Sequence, residues 1–175
     1  MDIKKTGKVD QKWIELARET AKRTLNFMNH TETPVIHVAN GYLIVPTPLG
    51  SRSVGAGYDP KTKEVMVSVQ WLKEKAAQLP HIIQHDTTEE LMRFVIGHEV
   101  CHYVQDILGY LPPPDSNIGL LITDPASYDN QPHEREANIV GIRMSFGILT
   151  PGIGGNAIIE YLRRDPELRG TGFSR

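Results

Sequence analysis

Residues 87 to 109, TTEELMRFVIGHEVCHYVQDILG, decide how the rest of the chain is read. Thr87 and Glu90 have the spacing of a capping box, in which the Thr oxygen and the Glu carboxylate each satisfy a free amide at a helix start. Leu91, Phe94, Val95 and Ile96 lead into an apolar interior, and Gly109, with Pro112, Pro113 and Pro114 after it, ends the helix. Inside this helix His98, Glu99, Val100, Cys101 and His102 spell H-E-x-x-H. Each helical residue turns by about 100°, so a separation of four brings the second imidazole back to within roughly 40° of the first. Leu91, Val95, His98 and His102 share that stripe, which directs both rings inward. Buried imidazoles without a partner are costly, and a metal ion is a partner that two neutral ring nitrogens can share. Glu99 projects beside them, close enough to hold a water but not placed to complete a coordination shell.

A catalytic metal takes a third protein ligand and keeps one place open. Downstream, Pro132 fits the first turn of another helix running to about Phe146, and its start, HEREANIVGIRM, offers His133, Glu134 and Glu136. Glu134, Ala137, Asn138 and Gly141 fall on one side of that helix, whereas Glu136 and Arg143 share the other. Glu134 is therefore expected to face inward as the ligand and Glu136 to face water. His133 is the minority alternative, and a plainer role for Glu134 is that of a first-turn acid favoured by the helix dipole. The small Ala137 and Gly141 would let the two helices approach closely. Asn138, or else Asp106 one turn beyond His102, could then hydrogen-bond a ligand histidine. Glu99 is the expected catalytic base, and the donor for a developing oxyanion is sought among Tyr128, Tyr110 and His133, with Tyr128 preferred for its place just before the glutamate helix.

H-E-x-x-H followed by E-x-x-A-N resembles the gluzincin class of zinc metallopeptidases. TEELMRFVIGHEVCH and EREANIVGIRM are similar both to ImmA/IrrE-type domains and to the soluble HtpX-like or minigluzincin peptidases. The likeness is specific over about residues 87 to 109 and 132 to 147. It implies zinc on His98, His102 and Glu134, Glu99 as the catalytic glutamate, and a peptide or protein substrate, which the ImmA/IrrE likeness would make a regulatory protein such as a repressor. No helix-turn-helix segment accompanies the motif, and the continuation IVGIRMSFGILTP follows the ImmA/IrrE pattern only loosely.

Around this centre the expected architecture is α+β: an N-terminal helix, a small mainly antiparallel sheet, the H-E-x-x-H helix and the glutamate helix. Ile14, Ala17, Ala21, Leu25 and Met28 recur at spacings of three and four, which predicts an amphipathic helix over 11 to 29. From Pro34 to Val69 the runs VIHV, GYLIV and EVMVSV, with turn signals at Asn40 and Gly41 and at Asp59 to Lys63, predict three or four strands. SVGAGY, residues 53 to 58, reads as a strand with a turn. Trp71 to Leu79 reads as a short helix closed by Pro80. Residues 110 to 131 read as a loop or lid, Asn156 to Arg163 as a final helix, and 165 to 175 as a flexible tail.

The 175 residues suit one domain, and 39% hydrophobic with 23% charged content is ordinary for a globular chain. A net charge of -2 argues against nucleic acid as a partner. With no long apolar stretch and no apolar leader, a cytoplasmic protein without membrane contact is expected. Cys101 is the single cysteine; it lies about 100° from the ligand face and reads as a packing residue. His81 and His85 read as a surface pair. The reading is a zinc-dependent endopeptidase, with a non-catalytic or latent zinc-binding regulatory protein as the alternative.

Overall fold

Ile3–Thr6 (β1) runs into the helix Gln11–Phe27 (α1), and the chain returns as Val35–Ala39 (β2). The structure, a computed structural model, describes residues 1–47, 50–78, 87–113 and 131–146. Asp10 caps α1 by accepting the Lys12 amide at 3.0 Å, and the helix ends where Asn29 takes a φ of 53° and His30 N–H turns back to the Leu25 carbonyl. Trp13, Ile14, Ala17, Ala21 and Leu25 bury the apolar face that their spacing predicts.

Two further strands, Leu43–Thr47 (β3) and Gly50–Val54 (β4), form a separate antiparallel hairpin. Ala56–Asp59 (β5) and Glu64–Ser68 (β6) then pair antiparallel across a turn in which Asp59 accepts the Lys61 amide and the Thr62 hydroxyl. β6 lies parallel to β2, and β2 parallel to β1, giving the order β1-β2-β6-β5. The mainly antiparallel sheet of three or four strands is thus corrected to six described strands, and its four-stranded part is mostly parallel. The reason is α1, a helical crossover that returns β2 alongside β1 in the same direction. β1 escaped notice because IKKT carries one apolar side chain and two lysines, the composition of an edge strand.

The helix Val69–Gln78 (α2) starts directly after β6, two residues earlier than the sequence suggests, because the Ser68 hydroxyl accepts the Trp71 amide at 3.1 Å. The indole of Trp71 lies over Gly55, where a Cβ would meet the ring at 2.0 Å. Thr87–Ile107 (α3) crosses the middle of the molecule. It has no polar face over its central turns because α1, α2, the sheet and the last helix surround it; Leu91, Met92, Ile96 and Val100 join Ile36, Val38, Val65 and Val67 in the core. Glu90 pairs with Arg93 at 2.7 Å. α3 stops at Gly109, whose φ of 79° lets its own N–H reach the Asp106 carbonyl and that of Tyr110 the Gln105 carbonyl.

Pro132–Phe146 (α4) packs along α3. A Cβ on Gly97 would sit 2.7 Å from Met144 Cγ and 3.2 Å from Gly141 Cα, and one on Gly141 would sit 2.8 Å from the Phe94 carbonyl oxygen. The two backbones touch at this glycine pair. Of the lid expected at 110 to 131, all but 110–113 and 131 lie outside the described residues, as do the final helix, the tail, His81 and His85. Among the described residues no helix is long and apolar enough to cross a membrane.

Helix propensity alone would make Gly141→Ala stabilising by about 0.5–1 kcal/mol. The contact with the Phe94 carbonyl predicts the reverse, a loss of about 1–3 kcal/mol from overpacking, read as a Tm lower by about 2–10 °C. A raised Tm in thermal unfolding would show that the helices are farther apart than described.

Candidate metal centre

α3 supplies His98 and His102 one turn apart, and the first turn of α4 supplies Glu134 opposite them. All three are buried, at 4%, 8% and 3% exposure. Their Nε2, Nε2 and carboxylate atoms form a close group that could hold a metal ion. The two Nε2 atoms are 2.9 Å apart, and Glu134 Oε2 is 3.5 Å from each. A triangle of these sides leaves a point about 2 Å from every corner, which agrees with usual metal–nitrogen and metal–oxygen bonds of about 2.0–2.2 Å. The expected inward direction of Glu134 is found, and Ala137, fully buried on the same side, lets α4 come close.

Gln105, also fully buried, holds His102 in place. Its amide nitrogen donates to the His133 carbonyl at 2.8 Å and to Glu136 Oε2 at 3.0 Å. Two acceptors on the nitrogen side turn Oε1 toward His102 Nδ1, 2.8 Å away, so Nδ1 must carry a hydrogen and donate it. Nε2 of His102 is thereby left to face the triangle. Neither Gln105 nor Glu136 was picked out from the sequence for this task. Glu136 is only partly exposed and accepts the Tyr110 hydroxyl at 3.0 Å as well, a correction to its expected place in water. The i, i+3 spacing of His102 and Gln105 was the available signal.

Asp106 does not serve the histidines. It points toward the sheet, where Tyr58 OH and Lys63 Nζ both donate to its Oδ2. Asn138 is buried at 3% and favours the protonated form of His98. Tyr128 lies outside the described residues. Cys101 packs with Ala137, Val140 and Met144, and its thiol pKa is pushed up by burial and by Glu136, Glu134 and Glu99, which suits a packing role.

Charge is distributed unequally over the cluster. Burial, and then the neighbouring His102, lower the His98 pKa to about 3. For His102 burial also opposes the charge, but Glu134 by its field and hydrogen bond, followed by Glu99 and Gln105, outweighs it and raises the pKa to about 9. The raised value favours a charged His102, whose Nε2–H then faces His98 Nε2 and Glu134 Oε2. Glu99 is pushed up to about 7, by burial first; of the partners it has there, Glu134 adds to the rise while His102 and the Tyr58 backbone N–H oppose it. No family model, curated protein or solved structure matches the chain.

The proton on His102 must leave when a divalent ion enters. Uptake at pH 7 should release about one proton, measurable by calorimetry in buffers of different ionisation enthalpy, and affinity should rise about tenfold per pH unit between pH 6 and 8. A pH-independent affinity would contradict the assigned charge. Gln105→Leu, which frees the His102 ring to turn, should weaken cobalt or zinc binding about 10–100-fold in a chelator competition; an unchanged affinity would leave the amide no part in the site.

Proposed function

We propose that the chain is a zinc-dependent endopeptidase of gluzincin type. Its support is the place of Glu99: a buried carboxylate with a pKa near 7, on the residue next to one member of a His, His, Glu group that could hold a metal. A general base works best when its pKa lies near the operating pH. His98, His102 and Glu134 would hold the ion, and two imidazoles with one carboxylate form a donor set suited to zinc. When bound, the ion supplies Lewis acidity, which polarises a peptide carbonyl and lowers the pKa of a water toward about 7.

The chain's own residues carry the proton steps. Glu99 takes the proton of the attacking water on its carboxylate and then delivers it to the leaving amine. The Tyr58 backbone N–H donates to that carboxylate and so fixes its orientation. Tyr58 belongs to β5, which ends the order β1-β2-β6-β5. An extended peptide that pairs with the outer backbone groups of β5, other than the Tyr58 N–H already given to Glu99, would lie close to Glu99 with little demand on side chains. The E-x-x-A-N motif, with Glu134 and Asn138 both directed inward, supports the ImmA/IrrE or minigluzincin likeness and a protein substrate.

Glu99→Gln separates a peptidase from a zinc-retaining binding protein. The variant should fold and bind zinc as before, while cleavage of an unstructured protein substrate falls by about 10²–10⁴-fold. Cleavage at the wild-type rate, with zinc retained, would remove Glu99 from the mechanism.

A further inference from the structure

His133 stands at the second position of α4, immediately before Glu134, and is 5% exposed. Among the described residues its Nε2, which is buried, has no hydrogen-bond partner. A buried polar nitrogen in that condition calls for an acceptor that arrives from elsewhere. Among the described residues the nearest carboxylate atom is Glu134 Oε1 at 3.6 Å, beyond hydrogen-bond distance, while the other oxygen of the same carboxylate faces both His98 and His102 at 3.5 Å. His133 thus borders the group from the side of Oε1 and is not part of it. The negative Oε1 nearby favours the tautomer with hydrogen on Nε2, making this atom a donor.

The backbone of His133 is held in place. The His133 carbonyl accepts Gln105 Nε2 at 2.8 Å, so the amide that orients His102 holds the backbone of His133 too. The two imidazole centroids are 6.0 Å apart. Tyr110, the other described candidate for an oxyanion donor, is 46% exposed and spends its hydroxyl on Glu136.

Resting on the peptidase reading, we infer that His133 is a catalytic residue whose Nε2–H donates to the substrate carbonyl oxygen as negative charge develops on it. In that step the water oxygen bonds to the carbonyl carbon, the π pair moves onto the carbonyl oxygen, and the water proton passes to Glu99. His133 gives up no proton; its contact with the oxygen shortens and strengthens as the charge grows, which favours the transition state over the bound substrate.

A peptide phosphinate, a tetrahedral mimic of that state, tests the assignment on zinc-loaded protein, with zinc affinity measured in parallel by chelator competition. His133→Leu should bind zinc within about threefold of wild type yet lose phosphinate affinity and kcat by about 10²–10³-fold. His133→Gln, whose amide reaches the position of Nε2, should recover much of the loss, and His133→Asn, whose amide is too short, should not. The polar pair decides the matter should the Leu variant fail to fold. A parallel fall in zinc affinity would make His133 a support for Glu134, and undiminished phosphinate binding in the Leu or Asn variant would take it out of contact; either overturns the inference alone. A wild-type chain that binds zinc but neither binds phosphinate nor cleaves peptides overturns the peptidase reading itself, and this role with it.

Discussion

The close crossing of α3 and α4 at Gly97 and Gly141 is the constraint on which the centre depends. Two imidazoles one turn apart on a single helix are a local consequence of sequence, but a carboxylate from another helix reaches them only if the backbones nearly touch. Each missing Cβ has its space filled by the other helix, by Met144 and Gly141 Cα on one side and by Phe94 on the other. The same packing that closes the core therefore sets the 3.5 Å separation between Glu134 and both rings. Larger side chains at these two positions would act on the site without touching it.

Polar groups across the crossing take over where the glycines leave off. Gln105 joins the two helices from inside, with His102 on one side of its amide and the His133 carbonyl and Glu136 on the other. A buried amide satisfied at both ends is directional in a way that apolar contact is not. It fixes the His102 ring on α3 and the first turn of α4 together, so His102 and Glu134 do not depend on separate supports.

What was legible in the sequence follows the range of each interaction. H-E-x-x-H, the inward side of the glutamate helix and the stop at Gly109 depend on residues within one or two turns, and their periodicity reports them. The need for small residues at 137 and 141 was visible for the same reason. The parallel sheet was not, because β1 contributes backbone pairing and one apolar side chain, and pairing between residues 3 and 36 leaves no local mark. Glu136 was misplaced because a helical wheel describes one helix in water and knows nothing of a neighbouring amide. Gln105 stood at a telling spacing, but glutamine is commonplace on helix surfaces, and only the approach of α4 gives it two acceptors.

Tyr58 connects the sheet to the chemistry by two independent routes. Strand geometry sends backbone groups along the sheet plane and the side chain away from it. Its N–H accordingly meets Glu99, while its hydroxyl reaches Asp106 nearly two turns farther along α3 and its ring packs edge-on against Tyr103. Lys63, just before β6, grips the same Asp106 carboxylate from the far end of the β5–β6 turn. Both ends of that turn are thus fastened to α3 at one oxygen, and the register of β5 against the helix cannot slip without loosening Glu99. The short sheet is consequently more than a wall for the core, since its edge strand orients the one carboxylate that the proposed reaction moves protons through.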